Sequence, residues 1–275
     1  MGTYNGTMLV TTKDSTTLAV DVWGAGRPVV LLHAWGLDAH MWNAQLPALL
    51  GAGLQVVTID QRGHGRSGRS QDGYDLDTMA ADVIGVLDAL DLHDAVLVGH
   101  SMGGAVVAHA IGALGTPRVG RAVLSAPITP CLTIGPDNAL GMPAEAFAAN
   151  RAAMAADIAG WLDANSAGYW GVGEDRWPLH TRYTVDSIAR TPLPVLLATN
   201  AAITSADLRA EVATIAVPTL VIQGDHDLSA PIEVTGRPTA ALLPDGRLHV
   251  IEGAGHGLYT SHAAEYDAAL LDFIG

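Results

Sequence analysis

The residues best suited to chemistry lie in Gly99-His100-Ser101-Met102-Gly103, a G-x-S-x-G pentapeptide between an apolar run ending at Val98 and another beginning at Met102. A serine in such a strand-to-helix turn is forced into a sparsely populated backbone conformation, and glycines two residues to either side remove Cβ atoms that would collide. The turn therefore presents the Ser101 hydroxyl as a nucleophile. A hydroxyl attacks poorly at neutral pH, so it needs a base, and the base needs a carboxylate to orient it. His256 is the expected base, because the small residues of Gly253-Ala254-Gly255-His256-Gly257 let its ring reach over a sheet edge. For the carboxylate, Gly224-Asp225-His226-Asp227 offers two choices. Asp227 is preferred because Pro231, four residues on, marks the next helix, leaving Asp225 to satisfy turn backbone; Asp225 is the alternative. Charge developing on an attacked carbonyl oxygen needs N–H donors. Met102 N–H at the helix start and Trp35 N–H in Leu32-His33-Ala34-Trp35-Gly36-Leu37 are the expected pair, with Trp35 and Met102 also lining the acyl pocket.

The elements that must hold these residues alternate in type. β-rich runs fall near Met8–Thr12, Leu18–Trp23, Val29–Leu32, Val56–Ile59, Ala95–Val98 and Ala122–Ser125. Helical patterns over Ala39–Leu50, Leu76–Leu90 and Met102–Leu114 lie between them, as a parallel sheet with crossover helices requires. From about Pro127 to Val217 the alternation stops. Pro143 there opens an Ala-rich helix carrying Phe147, Met154, Ile158, Trp161 and Leu162 on one stripe. Strand Thr219–Gln223, helix Pro231–Leu242, strand Leu248–Ile251 and helix Ala263–Phe273 then complete the pattern. This gives one doubly wound domain with a helical insertion, and the Ser101 turn falls at the carboxyl edge of its sheet, where such sheets bind ligands.

Other signals are weaker. Gly63-His64-Gly65-Arg66-Ser67-Gly68 fits G-x-G-x-x-G, but a polar stretch to Asp75 separates it from the next helix, so a dinucleotide is not expected. His33, Asp38 and His40, or Asp225, His226 and Asp227, lack the spacing of metal ligands. Cys131 reads as a small buried hydrophobe, and Phe147, Met154, Trp161, Trp170 and Trp177 as packing residues. The 275 residues are 49% hydrophobic and 15% charged, enough for a large core. A net charge of −14 without a basic cluster argues against nucleic acid or an anionic membrane as partner. The uncharged stretch from Ala95 to Pro117 is broken by glycines and reads as a strand with a buried helix. One cysteine cannot close an internal disulfide, and the start lacks a basic-then-apolar leader, so a cytoplasmic location is expected.

Taken together the chain resembles the α/β-hydrolase superfamily, within it the cofactor-free haloperoxidase and arylesterase branch. The resemblance rests on Gly24 to Val30 leading to His33-Ala34-Trp35, on Asp60-Gln61-Arg62-Gly63-His64-Gly65-Arg66-Ser67, on the Ser101 turn, on Val217-Pro218-Thr219-Leu220-Val221 leading to Asp227, and on the His256 loop. It implies a mostly parallel, eight-stranded doubly wound sheet, with residues 1–127 and 217–275 as core and 128–216 as a helical cap. It implies the triad Ser101, Asp227 and His256, donors Trp35 and Met102, and no metal or cofactor. The implied activity is hydrolysis of small apolar carboxylic esters through an acyl-enzyme, with a peracid-forming perhydrolase side reaction. Lactone or C–C bond hydrolysis on the same triad is an alternative, as are a ligand-sensing receptor and a cofactor-free oxygenase; a homo-oligomer is left open. Ala34 stands where the family usually has Gly, and its methyl is expected to shift the loop or shrink the pocket.

Overall fold

The computed structural model describes residues 4–135, 138–170 and 178–275. Its strands are β1 (Tyr4–Thr11), β2 (Thr17–Trp23), β3 (Pro28–Leu32), β4 (Gln55–Ile59), β5 (Ala95–His100), β6 (Val119–Ser125), β7 (Thr219–Gly224) and β8 (Gly246–Ile251). They form one sheet in the order β1-β2-β4-β3-β5-β6-β7-β8. β1 and β2 pair antiparallel, as do β2 and β4, and every pairing from β4 through β3 to β8 is parallel. Side chains alternate across a strand, so a strand buried on both faces must be apolar throughout. In β3, Val30 and Leu32 enter one core while Val29 and Leu31 enter the other; Leu97 and Val96 of β5 divide likewise.

Helices cover both faces. α1 (Leu46–Gly51), α2 (Leu76–Ala89) and α3 (Met102–His109) belong to the first half of the chain. α4 (Ala144–Ala156), α5 (Ile158–Asn165), α6 (Pro178–Arg190), α7 (Leu193–Ser205) and α8 (Arg209–Val212) lie between β6 and β7. α9 (Gly236–Leu242), α10 (Leu258–Ser261) and α11 (Ala263–Ile274) finish the chain. Buried residues of α2 and α3 pack on one face of the sheet, and those of α1 and α11 on the other. Among the described residues no helix is long and apolar enough to cross a membrane.

Three helical expectations are corrected. Ala39–Leu50 is not continuous: a 3₁₀ turn over Ala39–Ala44 gives way to α1. Pro47 lacks an N–H and its ring would strike the Asn43 carbonyl in an unbroken helix. Pro238 has the same effect on Pro231–Leu242, where the helix proper begins at Gly236. The Ala-rich stripe is broken at Asp157, whose φ of −156° and ψ of 89° are not helical and whose carboxylate accepts from Gly160 N–H to start α5. Within that stripe Met154 and Leu162 are buried. Trp177 lies outside the described residues.

Candidate active site

Ser101 sits between β5 and α3 with φ 54° and ψ −113°, a left-handed conformation costly for a residue with a Cβ. The surrounding glycines explain how the chain reaches it. A Cβ on Gly99 would lie 2.2 Å from the Gly103 carbonyl oxygen, and one on Gly103 would lie 2.5 Å from that of Leu32. Any other residue would separate strand from helix. Ser101 N–H donates to the Ser125 carbonyl (2.9 Å), and the Ser101 carbonyl accepts from the Gly104 and Ala105 amides.

His256, in the loop between β8 and α10, has its Nδ1 2.8 Å from Asp227 Oδ2. A carboxylate only accepts, so Nδ1 carries the hydrogen and Nε2 is left with its lone pair. Asp227 follows β7, and its other oxygen accepts from the Ser229 (2.9 Å) and Ala230 (2.8 Å) amides, which fix the carboxylate. Gln223 Nε2 approaches Oδ2 at 3.4 Å. Asp225 instead accepts from Gly253 N–H (2.6 Å) and pairs with His226, away from His256. Ser101, Asp227 and His256 are all buried.

The His256 ring packs on two neighbours that sequence reasoning did not single out. His100, the residue before Ser101, lies with its ring centroid 4.8 Å away, and Tyr169 meets His256 edge-on at 5.2 Å and 83°. Burial, reinforced by the adjacent His256, holds His100 well below the usual histidine range, so it stays neutral beside the His256 ring. Its Nδ1 is 2.8 Å from Ser125 Oγ. Burial, with the Tyr259 phenol nearby, likewise pushes Tyr169 well above the usual phenol range, and the two hydroxyls are 3.1 Å apart. Tyr169 and Trp170 come from the helical segment between β6 and β7. Gly257 N–H donates to the Tyr169 carbonyl (2.9 Å), and a Cβ on Gly257 would lie 2.3 Å from the Trp170 ring. The segment is thus clamped onto the residue following His256. G-x-S-x-G offered a weak hint of His100; nothing in the local sequence marks Tyr169, whose contact spans 87 positions of chain from His256.

Trp35 lies in the loop after β3, with its indole N–H donating to the Leu196 carbonyl (2.9 Å) and its ring edge-on to Trp161 at 5.9 Å. Neither its amide nor that of Met102 makes a turn or cap hydrogen bond among the described residues. Met102 is fully buried, with its side chain in the core cluster that holds Leu32 and Leu97. The preceding Ala34 is accommodated without a left-handed backbone, while Gly36 two residues later takes φ 72°. Gln61 braces this loop from below: its amide donates to His33 Nε2 (2.9 Å) and its side chain to the His33 carbonyl (2.7 Å). No group of three or more His, Cys, Asp or Glu among the described residues is arranged to hold a metal.

A family model for the alpha/beta hydrolase fold matches residues 27–263. The chain is an α/β hydrolase. Across 279 residues the hydrolase is 35% identical to the non-heme chloroperoxidase CPO-A1 of Kitasatospora aureofaciens, covering 97% of this chain and 98% of that one. It is 32% identical to the bifunctional esterase/perhydrolase DCH of Acinetobacter calcoaceticus, over 96% of this chain and 98% of the other. The crystal structure of a bromoperoxidase from Bacillus anthracis superposes with a TM-score of 0.93 at 31% identity, covering 98% of the hydrolase and 99% of that chain. The hydrolase therefore falls in the haloperoxidase and esterase branch of its family, and these matches run nearly end to end.

Proposed function

We propose that Ser101, His256 and Asp227 form the catalytic triad of a carboxylic-ester hydrolase acting on small apolar esters. The observation that carries this is the His256–Asp227 pair at 2.8 Å, packed against the residue that precedes a conformationally strained serine. Ser101 Oγ adds to the ester carbonyl carbon as His256 Nε2 takes its proton, and the Asp227 carboxylate stabilises the imidazolium. The amides of Met102 and Trp35 hold the oxyanion. His256 then protonates the departing alkoxide, leaving the acyl group on Ser101. Water, giving its proton to His256, releases the acid and restores the serine hydroxyl. Hydrogen peroxide in place of water gives the peracid by the same proton movements, the reaction class named for the Acinetobacter relative.

Residues 128–216 act as a cap whose aromatic side chains close the acyl side of the site. Trp35, fixed through Leu196 and packed on Trp161, is the pocket wall, which suits a short apolar acyl group better than a charged one. The lone buried thiol of Cys131 is compatible with the reducing cytoplasm, where we place the enzyme. The test is a series of p-nitrophenyl esters from acetate to decanoate, run on wild type and Ser101→Ala, with fluorophosphonate labelling followed by peptide mapping. The expected result is turnover best with short chains, label on Ser101, and at least about 10³-fold loss in the variant. Undiminished turnover in Ser101→Ala, or label on another residue, overturns the assignment.

A further inference from the structure

Beside the loop that carries Trp35, and apart from Ser101 and His256, lies a cavity of about 480 Å³, a size typical of small-molecule sites. Its charged lining divides into groups already committed to one another and groups that are not. Asp60 is saturated: one oxygen accepts from Ala39 N–H (2.8 Å), the other from the Arg66 amide (2.9 Å) and Nε (2.8 Å). The rest of the Arg66 guanidinium is bound to Asp21 at 3.1 and 2.7 Å. Asp38 accepts from His40 N–H and faces its Nδ1, both at 3.0 Å.

Two guanidinium groups remain. Arg69, from the loop between β4 and α2, has no hydrogen-bond or ion-pair partner among the described residues. Arg190, at the end of α6, donates only to the Ser187 hydroxyl (2.9 Å). This is unusual in a chain of net charge −14, where seven arginines are ion-paired among the described residues. The other described arginines without a carboxylate are used elsewhere: Arg121 and Arg247 lie over Phe273, and Arg151 bonds Asn200 and Thr204. Both side chains are exposed and line the same cavity, so they are free to turn toward a guest, and guanidinium groups match the paired oxygens of carboxylate and phosphate.

We propose that this cavity binds a small molecule carrying a carboxylate or phosphate group, clamped between Arg69 of the core and Arg190 of the segment between β6 and β7. Thr191, also in the lining, donates its hydroxyl to the Gly36 carbonyl (3.1 Å), so an occupant would pin the end of α6 against the loop bearing Trp35. The site is independent of the ester-hydrolase reading.

The experiment titrates inorganic phosphate and succinate into the full chain by calorimetry and thermal unfolding, against sodium chloride at matched ionic strength. A saturable response to at least one of them is expected, together with a rise of about tenfold or more in apparent Kd for Arg69→Gln and for Arg190→Gln. Arg237→Gln, which removes an exposed arginine paired with Glu233, is expected to bind as wild type. Saturation by phosphate alone assigns a phosphate-bearing ligand, and by succinate alone a carboxylate. Failure of both probes to saturate wild type overturns the proposal even if a variant does not fold. Equal affinity in wild type and both folded variants overturns it as well.

Discussion

Replacing Gly103 by alanine tests whether strand–helix closeness at the Ser101 turn is as tight as described. The added Cβ would lie 2.5 Å from the Leu32 carbonyl oxygen and 2.9 Å from that of His33, the first about 0.9 Å short of the 3.4 Å where ordinary contact begins. Both obstacles are backbone, and Leu32 is held in register with Ile59 of β4 and Gly99 of β5, so neither can rotate aside. Overpacking of this kind costs about 1–3 kcal/mol, and the rigid neighbours place it at the upper end. The better helix propensity of alanine returns up to about 1 kcal/mol, leaving a net loss near 2 kcal/mol. For a chain of this size that lowers Tm by about 4–8 °C. The same retreat of α3 carries Ser101 and the Met102 amide with it, and a misplacement near 1 Å costs about 10²-fold in turnover. Thermal unfolding by circular dichroism and p-nitrophenyl acetate kinetics measure the two effects. Gly85→Ala in α2 is the matched control: nothing lies within 4 Å of its added Cβ, so Tm should hold or rise by a few degrees. A Gly103→Ala protein as stable and as active as wild type would refute the packing argument.

Two further outcomes follow from the same geometry. Asp227→Asn keeps an acceptor for the Ser229 and Ala230 amides but can present N–H to His256 Nδ1, favouring the wrong tautomer; kcat should fall about 10⁴-fold while Tm changes little, and a fall below tenfold would contradict the role of the carboxylate. His109 is flanked by Asp77 (2.7 Å) and Glu211 (2.8 Å); burial opposes its charge, but the two carboxylates outweigh burial and raise its pKa above the usual 6.5. A raised folded pKa gives stability that is complete below the unfolded value and lost as pH climbs through the folded one. The advantage of wild type over His109→Gln in urea unfolding should therefore be larger at about pH 6 than at about pH 9. An advantage that is constant or grows with pH would show that the ion pairs are not its source.

The sheet was legible because strands buried on two faces leave unbroken apolar runs, as in Pro28–Leu32 and Ala95–Val98, that no amphipathic helix would produce. The turn at Ser101 was legible from its glycine spacing: Gly99 answers a steric demand from Gly103 within the same five residues, whereas the demand on Gly103 comes from Leu32 and His33 of the neighbouring strand and loop. Asp227 and His256 follow the carboxyl ends of β7 and β8, so knowing the strands was enough to bring their loops to one edge. Helix ends were less legible: at Pro47 and Pro238 apolar periodicity runs on through a residue whose ring forbids continuation. The surroundings of His256 were not legible at all. Tyr169 reaches it by packing of a distant helical segment, and no spacing rule links positions that meet only after the chain has folded back.

The grip of Tyr169 and Trp170 on Gly257 bears on how such enzymes can diverge. Transplanting the entire region between β6 and β7 from a relative would be the obvious route to a new substrate preference, yet the graft would also remove the edge-on ring beside the His256 imidazole. On the triad proposed above, selectivity and proton transfer would share a seam. Productive recombination would have to cut inside that seam, keeping the aromatic dipeptide with the core it serves and exchanging only the helices beyond it.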